Sequence, residues 1–336
     1  MIFPEVITFI NAILAWLSNG LLIFLILRNS PRSMANYKYL MLIFAVFGVI
    51  FGIIDITNQP TLHFYQGCYV IFSKNPLGLP KMLSFWYIAL NCACYAMTLT
   101  LLVFHFVYRF LTVCKPKYLF IFSIPYSAIP TVIFTLVTLE WWICSVFLAG
   151  ESDLKTEYFK NDIYRHFKVT EYEYTYVSSL FYRVDYWTGK EYLSLSDFAF
   201  VINLAVIITT GFSIIFYCWF QIRYHLITSN HSQKTLDMQT QLFRALIAQT
   251  LFPVLFMFIP AGILLIFPIF KVKPGPIEGV ILSLITTQPF IDAIIPMYFI
   301  KNYRKAIRKY CRRHNDVEDG RRISHSVENT AFSNKL

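Results

Sequence analysis

Residues Ser84–Pro116 read SFWYIALNCACYAMTLTLLVFHFVYRFLTVCKP, a run without charge until Arg109. At about 1.5 Å of rise per residue, a helix over 83–109 is long enough to cross a bilayer core of ~30 Å. At roughly 100° per residue, Asn91, Tyr95, Thr98, Leu102, His105 and Arg109 fall within about 40° of one line, while the remaining faces are mostly Leu, Val, Phe, Met and Ala. Unpaired polar groups cost several kcal/mol each in hydrocarbon, so this stripe must face other helices or a water-filled cavity. The rest of the chain has to supply them.

It does so in kind. Of 336 residues, 57% are hydrophobic and 18% aromatic, and only 14% are charged, where a soluble domain carries about a quarter. The formal charge of +10 sits at the ends of apolar runs and in the tail. No basic patch is left for a soluble nucleic-acid-binding face. The seven cysteines lie mostly in or beside apolar runs, where a thiol acts as a small hydrophobe. Cys92 and Cys94 point about 200° apart on a helix, which suits neither zinc nor a redox pair. The first apolar run lacks a basic flank and a small-residue cleavage site, and so reads as an anchor that stays. Nothing calls for a cofactor, a metal or enzymatic catalysis.

The expected fold is an all-α membrane protein, a seven-transmembrane-helix bundle with spans at about 6–27, 39–58, 83–109, 119–147, 198–222, 245–270 and 279–300. Of the 29 Lys and Arg, 19 fall after spans one, three, five and seven, and four in the short loops opposite. By the positive-inside bias the N-terminus is outside and the C-terminus cytoplasmic. The long outer loop 150–195 is rich in Tyr. Its alternation around Tyr172, Tyr174 and Tyr176 and the Thr188-Gly189 turn predict a β-hairpin lid. Residues 301–314 place Tyr303, Ile307 and Tyr310 on one face, with bases elsewhere. That is the pattern of an amphipathic juxtamembrane helix on an anionic leaflet, with a polar, disordered tail at 315–336.

Several constellations have two readings. Asn91, Tyr95 and Thr98 either line a small-molecule pocket or make interhelical hydrogen bonds of about 0.6 kcal/mol each. His105 and Arg109 are either a switch that breaks when the bundle opens or a simple stop to translocation. Asn19, Asp55, Glu140 and Asp292 are polar groups at membrane depth, with an ion or structural role open to Asp292 near Asn19. Asp55 and Glu140 lie toward outer ends, within reach of water. The last span has no lysine, which excludes a retinal Schiff base. Pro253, Pro260, Pro268, Pro289 and Pro296 can kink spans six and seven and supply hinges. Cys311, beside the basic helix, is a candidate for palmitoylation.

Tyr37-Lys-Tyr-Leu, Pro60 and His63, His105-Phe-Val-Tyr-Arg-Phe, Cys114-Lys-Pro, Gln241-Leu-Phe-Arg-Ala-Leu, Pro253 and Ile300-Lys-Asn-Tyr-Arg together resemble the str class of nematode serpentine chemoreceptors, the group containing the diacetyl odorant receptor. The resemblance covers roughly residues 7 to 312. It implies a G-protein-coupled chemosensory (olfactory) receptor in the ciliary plasma membrane of sensory neurons, with a small odorant and a heterotrimeric G protein as partners. Tyr108 and Arg109 take the place of the family's Tyr-Arg pair, and Arg244 joins them among the G-protein-coupling candidates. Three departures stand out. Tyr108 precedes Arg109 where rhodopsin-like receptors have an acid, so that neighbour offers no salt bridge. Asp292 is followed by Ala293 where relatives often carry proline. No cysteine occurs between Gly150 and Phe198, so the usual loop-to-span-three disulfide cannot form. The rival class is a seven-span ligand-gated channel or small-molecule transporter. A channel of the insect-receptor kind would reverse the charge bias, and a transporter should show an inverted repeat, which is not visible.

Overall fold

A computed structural model describes residues 2–30, 34, 36–184, 189–228, 233–272, 275 and 277–310. Seven helical segments are long and apolar enough to span a membrane. Spans one to four are α1 (Ile2–Asn29), α2 (Tyr37–Asn58), α3 (Lys81–Cys114) and α4 (Ala128–Phe147). Between spans four and five lies α5 (Asp153–Phe167), and span five is α6 (Leu195–Thr228). Span six is broken into α7 (Gln233–Pro253), a π-helical turn (Val254–Phe258) and α8 (Ile259–Ile266), and span seven is α9 (Ile277–Phe299). A further helix, α10, covers residues 301–310; Cys311 and the tail lie outside the described residues.

The stripe on α3 dictates its place. In its most apolar window 72% of α3 is buried, against 11% for α4. α3 therefore runs through the bundle, packed against α2, α4 and α6, and α4 lies at the edge facing lipid. α1 packs on α2 and α9. Gly48 permits the α1–α2 approach, because a Cβ there would lie 2.7 Å from Asn19 Oδ1. The break in span six has a local cause. Pro253 and Pro260 supply no backbone N–H, so regular i→i−4 bonding fails around them and the chain widens to a π turn.

The loops at one end build a cap. β1 (Thr61–Tyr65), β2 (Cys68–Ser73) and β3 (Thr175–Leu180) form an antiparallel sheet in that order, with Tyr65 opposite Cys68 and Ser73 opposite Thr175. Of the alternating tyrosines only Tyr176 lies in a strand, whose partner is the first loop's β2; Tyr172 sits in a turn and Tyr174 just before the strand. The short hairpin of β4 (Tyr182–Val184) and β5 (Glu191–Leu193) brackets Thr188-Gly189; residues 185–188 lie outside the described residues. Because strand side chains alternate, Cys68, Val70 and Phe72 of β2 face α5, while Tyr69 and Ile71 face the bundle.

The α5 helix has no counterpart in the sequence expectation of a β-hairpin over this loop. Ser152 caps it by accepting the Lys155 N–H, and Lys168 closes it in a left-handed conformation. Lys155, Phe159 and Ile163 recur every four residues and form its buried stripe. Lys155 is thereby drawn inside, where its Nζ lies 2.9 Å from Asp197 Oδ1 at the start of α6. All six described cysteines are free. The β2–β3 ladder and this ion pair hold the second loop down where a disulfide would otherwise do so.

Candidate functional site

Beneath the sheet, at the cap end of the bundle, is a cavity of about 70 Å³. Its roof is Tyr69, Ile71 and Val177. Its walls come from Cys92 and Tyr95 of α3, Trp141 of α4, Phe200 and Leu204 of α6, Phe258 of the π turn, Leu264 and Leu265 of α8, and Ile285 of α9. One water needs roughly 10–15 Å³ by this measure, so the space suits a molecule of about five heavy atoms. The lining residues are apolar apart from the two tyrosines, the Cys92 thiol and the indole N–H of Trp141. Tyr69 accepts a hydrogen bond from Ser179 Oγ at 3.2 Å, which ties its hydroxyl to β3.

The three residues expected to line a pocket part company. Tyr95 does line the cavity. Asn91 instead donates to Asp55 Oδ1 at 2.7 Å, joining α3 to α2. Asp55 is only 5% exposed, in contrast to the water-reached position expected for it. Thr98 bonds back to the Cys94 carbonyl at 2.9 Å and borders a separate void of about 10 Å³, shared with Asn19, Gln288 and Asp292. There Asn19 donates to the Pro289 carbonyl at 2.9 Å and Gln288 to Asp292 Oδ1 at 2.6 Å. That void has room for about one water. Glu140 is half-buried and accepts from Asn203 Nδ2 at 2.5 Å, linking spans four and five.

At the opposite end, Arg109 is buried, and its guanidinium donates to the Gln239 side-chain oxygen and, at 3.4 Å, to the Gln239 carbonyl. It also lies 5.3 Å from the Tyr37 ring centre, a cation–π distance. The Tyr37 hydroxyl is 3.2 Å from His105 Nδ1. Tyr108 packs edge-on against Phe122 with centroids 5.2 Å apart. Arg244 is exposed and stands apart from this cluster. Gln239 was not legible as a site residue. The chain offers Asp237, Gln239 and Gln241 at this end of span six, and only packing selects among them.

The bundle thus carries an apolar cavity at its cap end and a buried Arg109 cluster at the other, and the chain is similar to known proteins over nearly its whole length. Serpentine receptor class r-10 of Caenorhabditis briggsae is 27% identical over 90% of this chain and 89% of its own length. Its counterpart in Caenorhabditis elegans is 26% identical over 88% of both chains. The G-protein coupled receptor str-33 of C. elegans is 25% identical over 87% of this chain and 86% of its own. Residues 4–308 match the family model described as serpentine type 7TM GPCR chemoreceptor Str. With seven spans and nearly the whole chain matched, the protein belongs to the Str family of serpentine seven-transmembrane chemoreceptors.

Proposed function

We propose that this multi-pass receptor takes a small, mostly apolar odorant in the cavity beneath the cap and passes the signal to a heterotrimeric G protein at the Arg109 end. Its N-terminus is outside, in the ciliary membrane of a chemosensory neuron. The observation that carries this reading is the cavity wall itself. Phe258 sits on the π turn that breaks span six, and π bulges recur at functional sites. A ligand pressing there shifts a bistable helix, and it favours one state by about 1.4 kcal/mol for each tenfold difference in affinity.

Calcium imaging of a neuron expressing only this receptor, against an odorant panel, tests the proposal. A dose-dependent response is expected. Ala261 of α8 also lines the cavity, and Ala261→Phe, which places a ring there, should raise the half-maximal concentration at least about tenfold, in line with strong overpacking penalties. Ligand-evoked current in a membrane lacking G proteins would instead favour the channel reading. Orientation has its own check. An epitope fused at Leu336 should stain only after permeabilisation, and staining of intact cells would reverse the topology.

A further inference from the structure

His63 of β1 stands between two acids from distant parts of the chain. Its Nε2 is 2.7 Å from Asp162 Oδ2 on α5, and its Nδ1 is 3.1 Å from Glu278 Oε2 on α9. One helical turn beyond Asp162, His166 brings its Nδ1 to 3.5 Å from the same Oδ2. The ligand atoms of His63, Asp162 and His166 all lie within 4.8 Å of one another. We infer that these three side chains form a binding site for a divalent transition-metal ion, zinc or copper, that clamps the cap.

The donor set decides the class of metal. Two imidazoles and one carboxylate suit zinc and copper, whereas calcium and magnesium take oxygen ligands. A tetrahedral zinc ion at about 2.0–2.1 Å from each ligand atom sets those atoms roughly 3.3 Å apart. The distances of 2.7 and 3.5 Å around Asp162 Oδ2 bracket that value, so small rotations bring the ligands to an ion. His166 is 49% exposed and can make them; at rest its Nδ1 lies 2.9 Å from the Asp162 carbonyl. Its exposure also leaves a path for the ion and a fourth position for water.

The surrounding shell is the second observation. A metal-bound histidine usually gives its other ring N–H to a carboxylate, which orients the ring. Glu278 does this for His63 Nδ1, and its other oxygen is held by the Phe64 N–H at 3.2 Å. Nε2 is thereby turned to Asp162 and His166. Without metal, burial opposes a charged His63 ring, but the bonds to Glu278 and Asp162 outweigh it and raise its pKa above the ordinary value. On binding, the ion takes the place of the Nε2 proton, which leaves to solvent. No local spacing announces the site, because His63 and Asp162 are far apart in the chain and meet only through the β1–β2–β3 sheet and α5.

Such an ion would tie β1, α5 and, through Glu278, the cap end of α9 into one unit. Ile285, two turns further along α9, lines the ligand cavity. The inference stands whatever odorant the cavity takes, and its test needs no ligand. The full-length receptor in lipid nanodiscs, stripped with chelator, is titrated with zinc chloride and with cobalt chloride. One saturable zinc site per chain, a melting temperature raised by several degrees and the visible absorption of four-coordinate cobalt are expected. His166→Ala should melt like the wild type without metal yet bind at least about tenfold more weakly, and Glu278→Gln should lose roughly 10- to 100-fold. Wild-type protein with no saturable zinc binding and no cobalt absorption overturns the proposal, as does unchanged affinity in a folded His166→Ala protein. If that variant does not fold, the wild-type cobalt spectrum alone decides.

Discussion

Replacing Lys155 with alanine is expected to destabilise the receptor by about 3–5 kcal/mol, the usual cost of leaving one member of a buried ion pair unpartnered. The side chains of Lys155 and Asp197 are 3% and 0% exposed. Lys155 Nζ also donates to the Ser178 carbonyl at 2.9 Å, so one ammonium joins α5, β3 and α6. Asp197 has helpers, since Ser194 Oγ donates at 2.5 Å and Arg183 lies at 3.4 Å, but Arg183 is partly exposed. Neither compensates fully for the missing cation. Against a typical total stability of roughly 5–15 kcal/mol, the loss should appear as a much lower melting temperature in detergent and as retention inside the cell. Lys155→Met with Asp197→Leu should melt higher than either single variant, because a matched apolar pair can replace a buried ionic one. A Lys155→Ala receptor that melts like the wild type would show that the sheet alone holds the cap.

Gln239→Ala should make the receptor active without ligand. Arg109 is buried, and its neighbour in sequence is Tyr108 rather than an acid. Its restraint is therefore a neutral acceptor across the bundle, on span six. A hydrogen bond to a charged group is worth about 1.5–3 kcal/mol. If the contact exists only in the resting arrangement, losing it raises the active fraction roughly 10- to 100-fold. Arg109 Nε has no partner among the described residues, and the bond that alanine leaves in place, to the backbone carbonyl of residue 239, is long at 3.4 Å. Gln239→Glu should have the opposite sign, since an ionised acceptor binds the guanidinium more strongly. Basal nucleotide exchange on a reconstituted Gα, together with the distance between labels on the ends of α3 and α7 nearest Arg109 and Gln239, separates the cases. Equal basal exchange and equal distances in wild type, Gln239→Ala and Gln239→Glu would assign this contact to packing alone.

Both predictions turn on residues that the sequence did not single out, and the reason is the same for each. Lys155 reads as one base in a charge-balanced loop, and Gln239 as one of several polar residues at the foot of a helix. Their importance comes from partners 42 and 130 positions away. The prolines of span six were legible as breaks, because a missing N–H is a local property. That this break borders the cavity was not, since it depends on how α8 packs under the sheet.

The presence of seven spans was written in the chain. Hydrocarbon imposes a minimum length on every apolar run, and a polar stripe on α3 forces that helix among the others. The strings that resemble those of serpentine receptors pointed to the family that the comparison shows. Tertiary structure alone decided which polar residues meet. Asn91 turned to Asp55 while its stripe neighbour Tyr95 turned to the cavity, although 40° of helical arc is all that separates them. It also decided that β3 pairs with the first loop, and that His63, Asp162 and Glu278 converge. Bilayer crossing is a constraint on consecutive residues, whereas a hydrogen bond between segments depends on where the whole chain has brought its two ends.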